Sequence, residues 1–142
     1  MPRHFVVNAL FFVALTFIGG CHFSVTSSSS GQGEPPMQPG AEKVTSGFSA
    51  EYKPISGGFA IHVKNDTGRT FGATNQLGVA WKDTSGAHWQ YLSGGLTWKP
   101  GDRMMLTFAP NIKPQNVRVV GPTNEAGDKT GPIYIDCSLP SP

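Results

Sequence analysis

Charged side chains are scarce in this chain and form no long run. Asp, Glu, Lys and Arg make up 14% of its 142 residues, and the formal net charge is only +2. A protein that binds nucleic acid or an anionic membrane surface through charge needs a cluster of Lys and Arg to contact the phosphates. The sequence has no such cluster, so we expect neither a nucleic-acid partner nor a charge-driven membrane contact.

Histidine and cysteine are also few, with four and two residues, and none stands at a spacing typical of a zinc or copper site. We therefore expect no metal and no cofactor. His62 and His88 are predicted to be exposed, each on the strand face opposite the apolar residues. Residues 47–50, GFSA, do not form the G-x-S-x-G elbow of a nucleophile, and the carboxylates stand mostly at turns. No catalytic residue is identified, and the chain is predicted not to be an enzyme.

The one long apolar run, residues 5–18, is too short for a membrane span. It is about 14 residues long and would reach about 21 Å as a helix, whereas the hydrocarbon core of a bilayer is about 30 Å thick. Arg3 and His4 precede the run. A basic start followed by a short apolar segment is typical of a cleaved signal peptide, which we assign to residues 1–20.

The signal segment ends in Ile18-Gly19-Gly20-Cys21, which resembles the lipobox of bacterial lipoproteins. The resemblance implies cleavage between Gly20 and Cys21, a diacylglycerol on the Cys21 thiol, and a fatty acyl chain such as palmitate on the new amine. Two or three such chains make a firm anchor, at about 0.8 kcal/mol per buried CH₂ group. His22, where inner-membrane lipoproteins carry aspartate, implies the outer membrane of a two-membrane envelope. The alternative is a secretory peptide cut near Gly20, with Cys21 left as an ordinary thiol.

Cys137 is the second cysteine, and it has no partner in the chain if Cys21 carries lipid. It alternates with Ile133 and Ile135, so it is predicted to be a small buried apolar side chain. A disulfide between Cys21 and Cys137 is the competing interpretation for an oxidising compartment, and it would contradict the lipobox.

Residues 21–46 are rich in Ser, Gly and Pro and have few apolar side chains. Such a segment cannot bury enough surface to offset the entropy lost on ordering. It is predicted to be a flexible linker between the lipidated cysteine and the domain. Its expected end-to-end distance is about 25–30 Å, which would hold the domain off the membrane.

Apolar and polar residues alternate through residues 47–139, and this period of two is typical of half-buried strands. Turn sequences such as Asn65-Asp66-Thr67-Gly68 separate the alternating runs. The predicted strands lie within residues 48–52, 59–64, 77–81, 87–92, 103–108, 117–119 and 133–137. The pattern predicts an all-β fold, an immunoglobulin-like β-sandwich of about seven strands, with residues 140–142 as a tail.

Aromatic residues concentrate between Phe71 and Trp98. If Trp89, Tyr91 and Trp98 lay on an outer face, their rings would be candidates for stacking on the sugars of peptidoglycan or another glycan. The alternative is that the tryptophans fill the core of the sandwich, as large aromatic side chains do in such folds. The sequence leaves both interpretations open.

Three turn motifs occur in a fixed order: an N-x-T-G turn, an aromatic-x-D-x-x-G hairpin and a P-G turn. Their residues are Asn65, Thr67 and Gly68, then Trp81, Asp83 and Gly86, then Pro100 and Gly101. This arrangement resembles small bacterial lipoproteins of the YcfL-like type and Ig-like modules of the FxLYD kind. The resemblance implies an envelope lipoprotein with an immunoglobulin-like sandwich and no active site.

Two functions are compatible with these features. The first is a lipid-anchored envelope lipoprotein whose non-enzymatic sandwich is an interaction or assembly module for another envelope protein. The second is a glycan-binding, lectin-like module that uses exposed tryptophans.

Overall fold

The computed structural model describes residues 21–25, 34–73, 77–92, 96–125 and 132–140. The predicted signal segment, with Gly20 of the cleavage site, lies outside the described residues, as do residues 141–142 of the predicted tail. The described part consists of eleven β-strands: β1 Cys21–Val25, β2 Glu42–Val44, β3 Phe48–Ile55, β4 Gly58–Asn65, β5 Phe71–Ala73, β6 Gly78–Asp83, β7 Gly86–Tyr91, β8 Leu96–Trp98, β9 Arg103–Phe108, β10 Asn116–Glu125 and β11 Ile133–Leu139. Within it, no helix has the length and apolar composition that crossing a bilayer requires.

The strands form two sheets that share one apolar core. Sheet A has four strands in the order β1-β9-β4-β3. Sheet B has seven, with the path β2-β11-β10-β5-β8 and with β6 and β7 added on the β10 side. Buried residues of both sheets belong to a single cluster, which we call the main core. The prediction of an all-β sandwich is therefore confirmed.

Alternation of side chains explains how each strand contributes to the main core. In β9, Met104, Leu106 and Phe108 are buried, whereas the residues between them are exposed or half-buried. Fully burying an apolar side chain of this size contributes about 1.5–3 kcal/mol. A shift of one residue in the register would turn the apolar row outward, so the core fixes the register as well.

Strand β10 is long because it changes its neighbour along the way. Residues 116–120 pair with β6 and residues 123–125 pair with β5, while β11 pairs along the other side. Gly121 and Pro122 lie where β6 ends and β5 begins. A proline, which lacks a backbone N–H, is tolerated at such a break in the ladder.

The seven predicted strands all occur, as β3, β4, β6, β7, β9, β10 and β11. The count of about seven is nevertheless too low, because β1, β2, β5 and β8 were not predicted. These four have only three to five residues each, too few to show a period. β1, β2 and β5 each pair with a longer strand, and β8 pairs with β5.

Two stretches of residues 21–46, the predicted flexible linker, are strands in the described structure. Residues 21–25 form β1, in which Phe23 and Val25 are buried in the main core, and residues 42–44 form β2. The alternation of Cys21, Phe23 and Val25 is a strand signal, but it is short and stands directly before a run of serines. Residues 26–33 are outside the described part.

Cys137 is buried on the inner face of β11, as predicted, with 3% of its surface exposed. Burial, together with the charge of the adjacent Asp136, raises the pKa of its thiol to about 12. Cys21 and Cys137 are both free cysteines, so the competing disulfide is absent from the fold.

Candidate functional site

All three tryptophans are buried. Trp98 and Trp81 lie in the main core with 1% and 3% of their surfaces exposed, and Trp89 is 5% exposed. Tyr91 is half-buried, with its ring edge-on to that of Trp89 at 5.6 Å between centroids. Stacking on a sugar requires an exposed ring face, and neither Trp89 nor Trp98 has one. The interpretation of these residues as core is the one that the burial supports.

Trp89 belongs to a small apolar cluster on the outer face of sheet B, together with Val120 and Tyr134. The chain at residues 34–41 contacts this cluster. The Tyr134 hydroxyl donates to the Pro35 carbonyl oxygen and to Glu34 Oε1, both at 3.1 Å. Burial and the bond to Glu34 raise the pKa of Tyr134 to about 12. The segment expected to be a linker thus covers aromatic surface.

The two histidines of the domain differ from each other. His62 lies on the outer face of sheet A, as predicted, although it is only partly exposed. The prediction for His88 is wrong, because the β6–β7 register places it opposite Trp81, and its ring stacks on the indole at 5.1 Å between centroids. Alternation with Trp89 and Tyr91 predicts the face of His88 correctly, but those two residues lie outside the main core, so His88 faces inward.

Asp83, Ser85 and His88 meet at the β6–β7 turn, but not in the geometry of a catalytic triad. Ser85 Oγ and Asp83 Oδ1 both contact the same atom, His88 Nε2, at 2.9 Å, and the Ser85 hydroxyl donates directly to Asp83 at 2.6 Å. A triad uses one ring nitrogen for the serine and the other for the carboxylate. Bonds from Ser85 and His88 lower the pKa of Asp83 to about 2, as expected where a carboxylate closes a turn.

No group of three or more His, Cys, Asp or Glu side chains suited to a metal ion occurs among the described residues. An open groove of about 520 Å³ lies at the end of the sandwich near the β3–β4 turn. It is lined by Gly58, Phe59, Pro110, Ile112, Lys113 and Pro114. Ile55, one of the few large apolar side chains that are well exposed, lies in the same turn region.

Asn65 joins two turns at the opposite end of the sandwich. It is completely buried; its Nδ2 donates to the carbonyl oxygens of Arg69 and Trp98, at 2.7 and 2.9 Å. Its Oδ1 accepts from the backbone N–H and the hydroxyl of Thr67. Gly68 has φ of 76°, the left-handed conformation that the N-x-T-G sequence predicts. The turn motif is therefore structural.

Cys21, the predicted lipidation site, is the first residue of β1. Its Cα is paired with that of Met104 across the parallel β1–β9 ladder, and its side chain is half-buried against the main core. Burial and the charge of Asp102 raise the pKa of its thiol. The predicted lipidation site is therefore part of the sandwich itself.

Strand β3 forms one border of sheet A. It pairs with β4 on one side, and no described strand pairs with its other side. Just before it, the Asp66 N–H donates to the Gly47 carbonyl oxygen at 2.8 Å. Because antiparallel residues alternate in their bonding direction, Ser49 and Glu51 also bond towards β4, and the peptide groups of residues 48, 50 and 52 point outward.

The inner face of β3 is only partly covered. Phe48, Ala50 and Tyr52 pack against the main core but remain half-exposed, and Phe48 stacks on Trp98 at 5.0 Å between centroids. The Tyr52 hydroxyl is buried, and among the described residues it has no hydrogen-bond partner. The open backbone edge and the incomplete apolar row lie along the same strand. The sequence marked β3 as a strand but not as a border, because strand order is a long-range property.

Protein-family models, curated proteins and solved structures were compared with this chain, and none of them matches it. The resemblance to YcfL-like lipoproteins and the immunoglobulin-like relationship therefore stay predictions from the sequence.

Proposed function

We propose that this chain is a lipid-anchored lipoprotein of a bacterial envelope whose sandwich binds an extended segment of another envelope protein along β3. It is a non-enzymatic interaction module, and its sandwich is immunoglobulin-like. The single observation that carries the proposal is the eight-residue border strand, whose outer side pairs with no described strand and which carries a half-exposed apolar row.

An added strand would make use of both features of β3. The outward peptide groups of residues 48, 50 and 52 would bond to its backbone, and its side chains would cover Phe48, Ala50 and Tyr52. In strand addition, the backbone bonds provide affinity and the alternate side-chain positions provide specificity. The partner is accordingly an extended segment with small or medium apolar residues at every second position.

The end of β3 limits where a partner strand fits. Pro54 falls in the outward series of residues, so its missing N–H leaves a gap in the exposed edge without breaking the β3–β4 ladder. Lys53, next to it, pairs with Glu51 at 3.6 Å. Proline and lysine are common protections of border strands against aggregation. The docking segment of β3 is therefore residues 48–52.

The location in the envelope rests on the sequence. The apolar run at residues 5–18 and the Gly19-Gly20-Cys21 motif support a cleaved signal with lipid on Cys21. His22 supports the outer membrane. Lipid on Cys21 would restrict the module to partners at or near that membrane.

A photo-crosslinking residue in place of Lys53 is expected to capture a partner in intact cells, and Ala50→Pro is expected to abolish that adduct. The proline removes the outward N–H of residue 50 but no bond to β4, whereas Ala50→Val keeps the N–H and is the matched control. The readout is the adduct on a denaturing gel, with thermal melting to confirm that both variants fold. An adduct that persists in Ala50→Pro, or that forms only from the border of sheet B at Ala87, would refute the proposal.

A further inference from the structure

Two turns and Cys21 lie at one end of the sandwich, which we call the anchor end. We define it by Cys21, residues 65–69 and residues 98–102. Cys21 pairs with Met104 in β9, and Lys64 at the end of β4 pairs with Arg103 at the start of β9. We propose that this end rests directly on the lipid headgroups, so that the sandwich stands upright on the membrane. The inference rests on the proposed lipidation of Cys21.

No linker separates the proposed lipid anchor from the sandwich. Cys21 would carry the lipid, and it is also the first residue of β1. A linker between the two would allow about 3.4 Å more distance between membrane and sandwich for each of its residues. The acyl chains must enter the bilayer, so the residue that bears them must lie at its surface. The end of sheet A that contains Cys21 then lies there too.

Strand β1 is held firmly in sheet A. It pairs with β9 over all five of its residues, and Phe23 and Val25 are buried in the main core. The Thr107 hydroxyl donates to the Phe23 carbonyl oxygen at 3.1 Å, and Gln90 Nε2 donates to that of Ser24 at 2.8 Å. Detaching β1 from sheet A to make a flexible tether would expose both apolar side chains and break these hydrogen bonds.

Hydrogen bonds between its turns make the anchor end a rigid surface. The Asn65 N–H donates to the Asp102 carbonyl oxygen at 3.0 Å, and the Gly101 N–H donates to that of Asn65 at 2.8 Å. The Trp98 indole N–H also donates to the Asp102 carbonyl oxygen, at 3.0 Å. Together with the side-chain bonds of Asn65, these contacts join the two turns into one face that moves with the core.

The chemistry of this face suits headgroups rather than the hydrocarbon interior. The charged residues at or beside it are Glu42, Lys64, Asp66, Arg69, Lys99, Asp102 and Arg103. Lys64 pairs with Asp66, and Arg69 pairs with Glu42. Ile55, a well-exposed large apolar side chain, lies at the opposite end of β3. The face therefore lies on the membrane surface without inserting.

This orientation has a consequence for β3. The strand begins at the anchor end, where Phe48 is paired with Asn65, and ends at Ile55 beside the opposite turn. Eight residues of strand extend about 27 Å. The docking segment of β3 would therefore start near the membrane surface and point away from it. A partner strand would lie along the membrane normal.

The test uses the full lipidated chain, with its acylation verified by mass, in vesicles of phosphatidylethanolamine and phosphatidylglycerol that also contain a lipid with a nickel-chelating headgroup. Nitroxides are attached at Lys99→Cys on the anchor end or at Ser56→Cys in the opposite turn. Cys137 is buried, so it does not compete for the label. Relaxation by nickel-chelating headgroups is expected to be several-fold stronger at residue 99 than at residue 56.

A matched control inserts about ten Gly and Ser residues between Cys21 and His22, which restores roughly 17 Å of flexible reach. The contrast between residues 99 and 56 is expected to collapse in this variant. Equal relaxation at both sites of the acylated chain without the insert would overturn the orientation and leave the lipid anchor intact. Absence of the acyl mass would overturn the proposed anchor, and the orientation with it.

Discussion

Replacing Phe23 and Val25 together by alanine is expected to lower the free energy of unfolding by about 3–5 kcal/mol. Both side chains are buried in the main core, with 9% and 2% of their surfaces exposed. Their truncation loses the transfer free energy of the removed atoms and leaves a cavity under β1. Because domains are typically stable by only about 5–15 kcal/mol, the variant should be close to unfolding.

The measurement is urea unfolding of the chain from residue 21 with Cys21→Ser in every sample, so that no lipid is present. His22→Ala is the matched control, because His22 lies in the same strand with its side chain exposed. It is expected to stay within about 0.5 kcal/mol of the parent. If the double variant were as stable as this control, residues 21–25 would not be packed against the main core. They would then be part of the flexible linker that the composition predicts.

Asn65→Ala is expected to cost about 2–4 kcal/mol. The amide makes four hydrogen bonds in a fully buried position, two to carbonyl oxygens and two from Thr67. Its loss leaves the carbonyl oxygens of Arg69 and Trp98 without that donor, and an unsatisfied buried polar group costs about 1–3 kcal/mol. The two turns of the anchor end would separate as a result.

Asn111→Ala is the control for this substitution, because Asn111 is an exposed asparagine in another turn. Thermal or urea unfolding of the two variants compares the same chemical change in a buried and in an exposed setting. Equal stabilities would show that the hydrogen bonds of Asn65 do not hold the turns together.

The long strands could be predicted because their signals are local. The alternation of Phe59, Ile61 and Val63 identifies β4 and its buried face at once, and the turn at Gly68 requires a residue that tolerates positive φ. The short strands have no such signal. β5 is held by the longer β10 and in turn pairs with β8, and β1 forms because its two apolar residues pack beside β9.

The candidate site was harder to predict from the sequence, because it depends on contacts between distant parts of the chain. Alternation places Trp89 on one face of β7, but it does not reveal that residues 34–41 contact the cluster on that face. The border position of β3 depends on which strands pair, and the exposed peptide groups follow only from the register. The motif at Cys21 can be identified in the sequence, but its position at the start of a strand cannot.

Intact mass of the protein extracted from membranes tests the central claim most directly, namely that Cys21 is both the first residue of the sandwich and its anchor. The account predicts a chain that begins at Cys21 and carries a diacylglyceryl group and a fatty acyl group, with both absent from Cys21→Ser. A chain that retains residues 1–20, or one that begins at an unmodified Cys21, would contradict it.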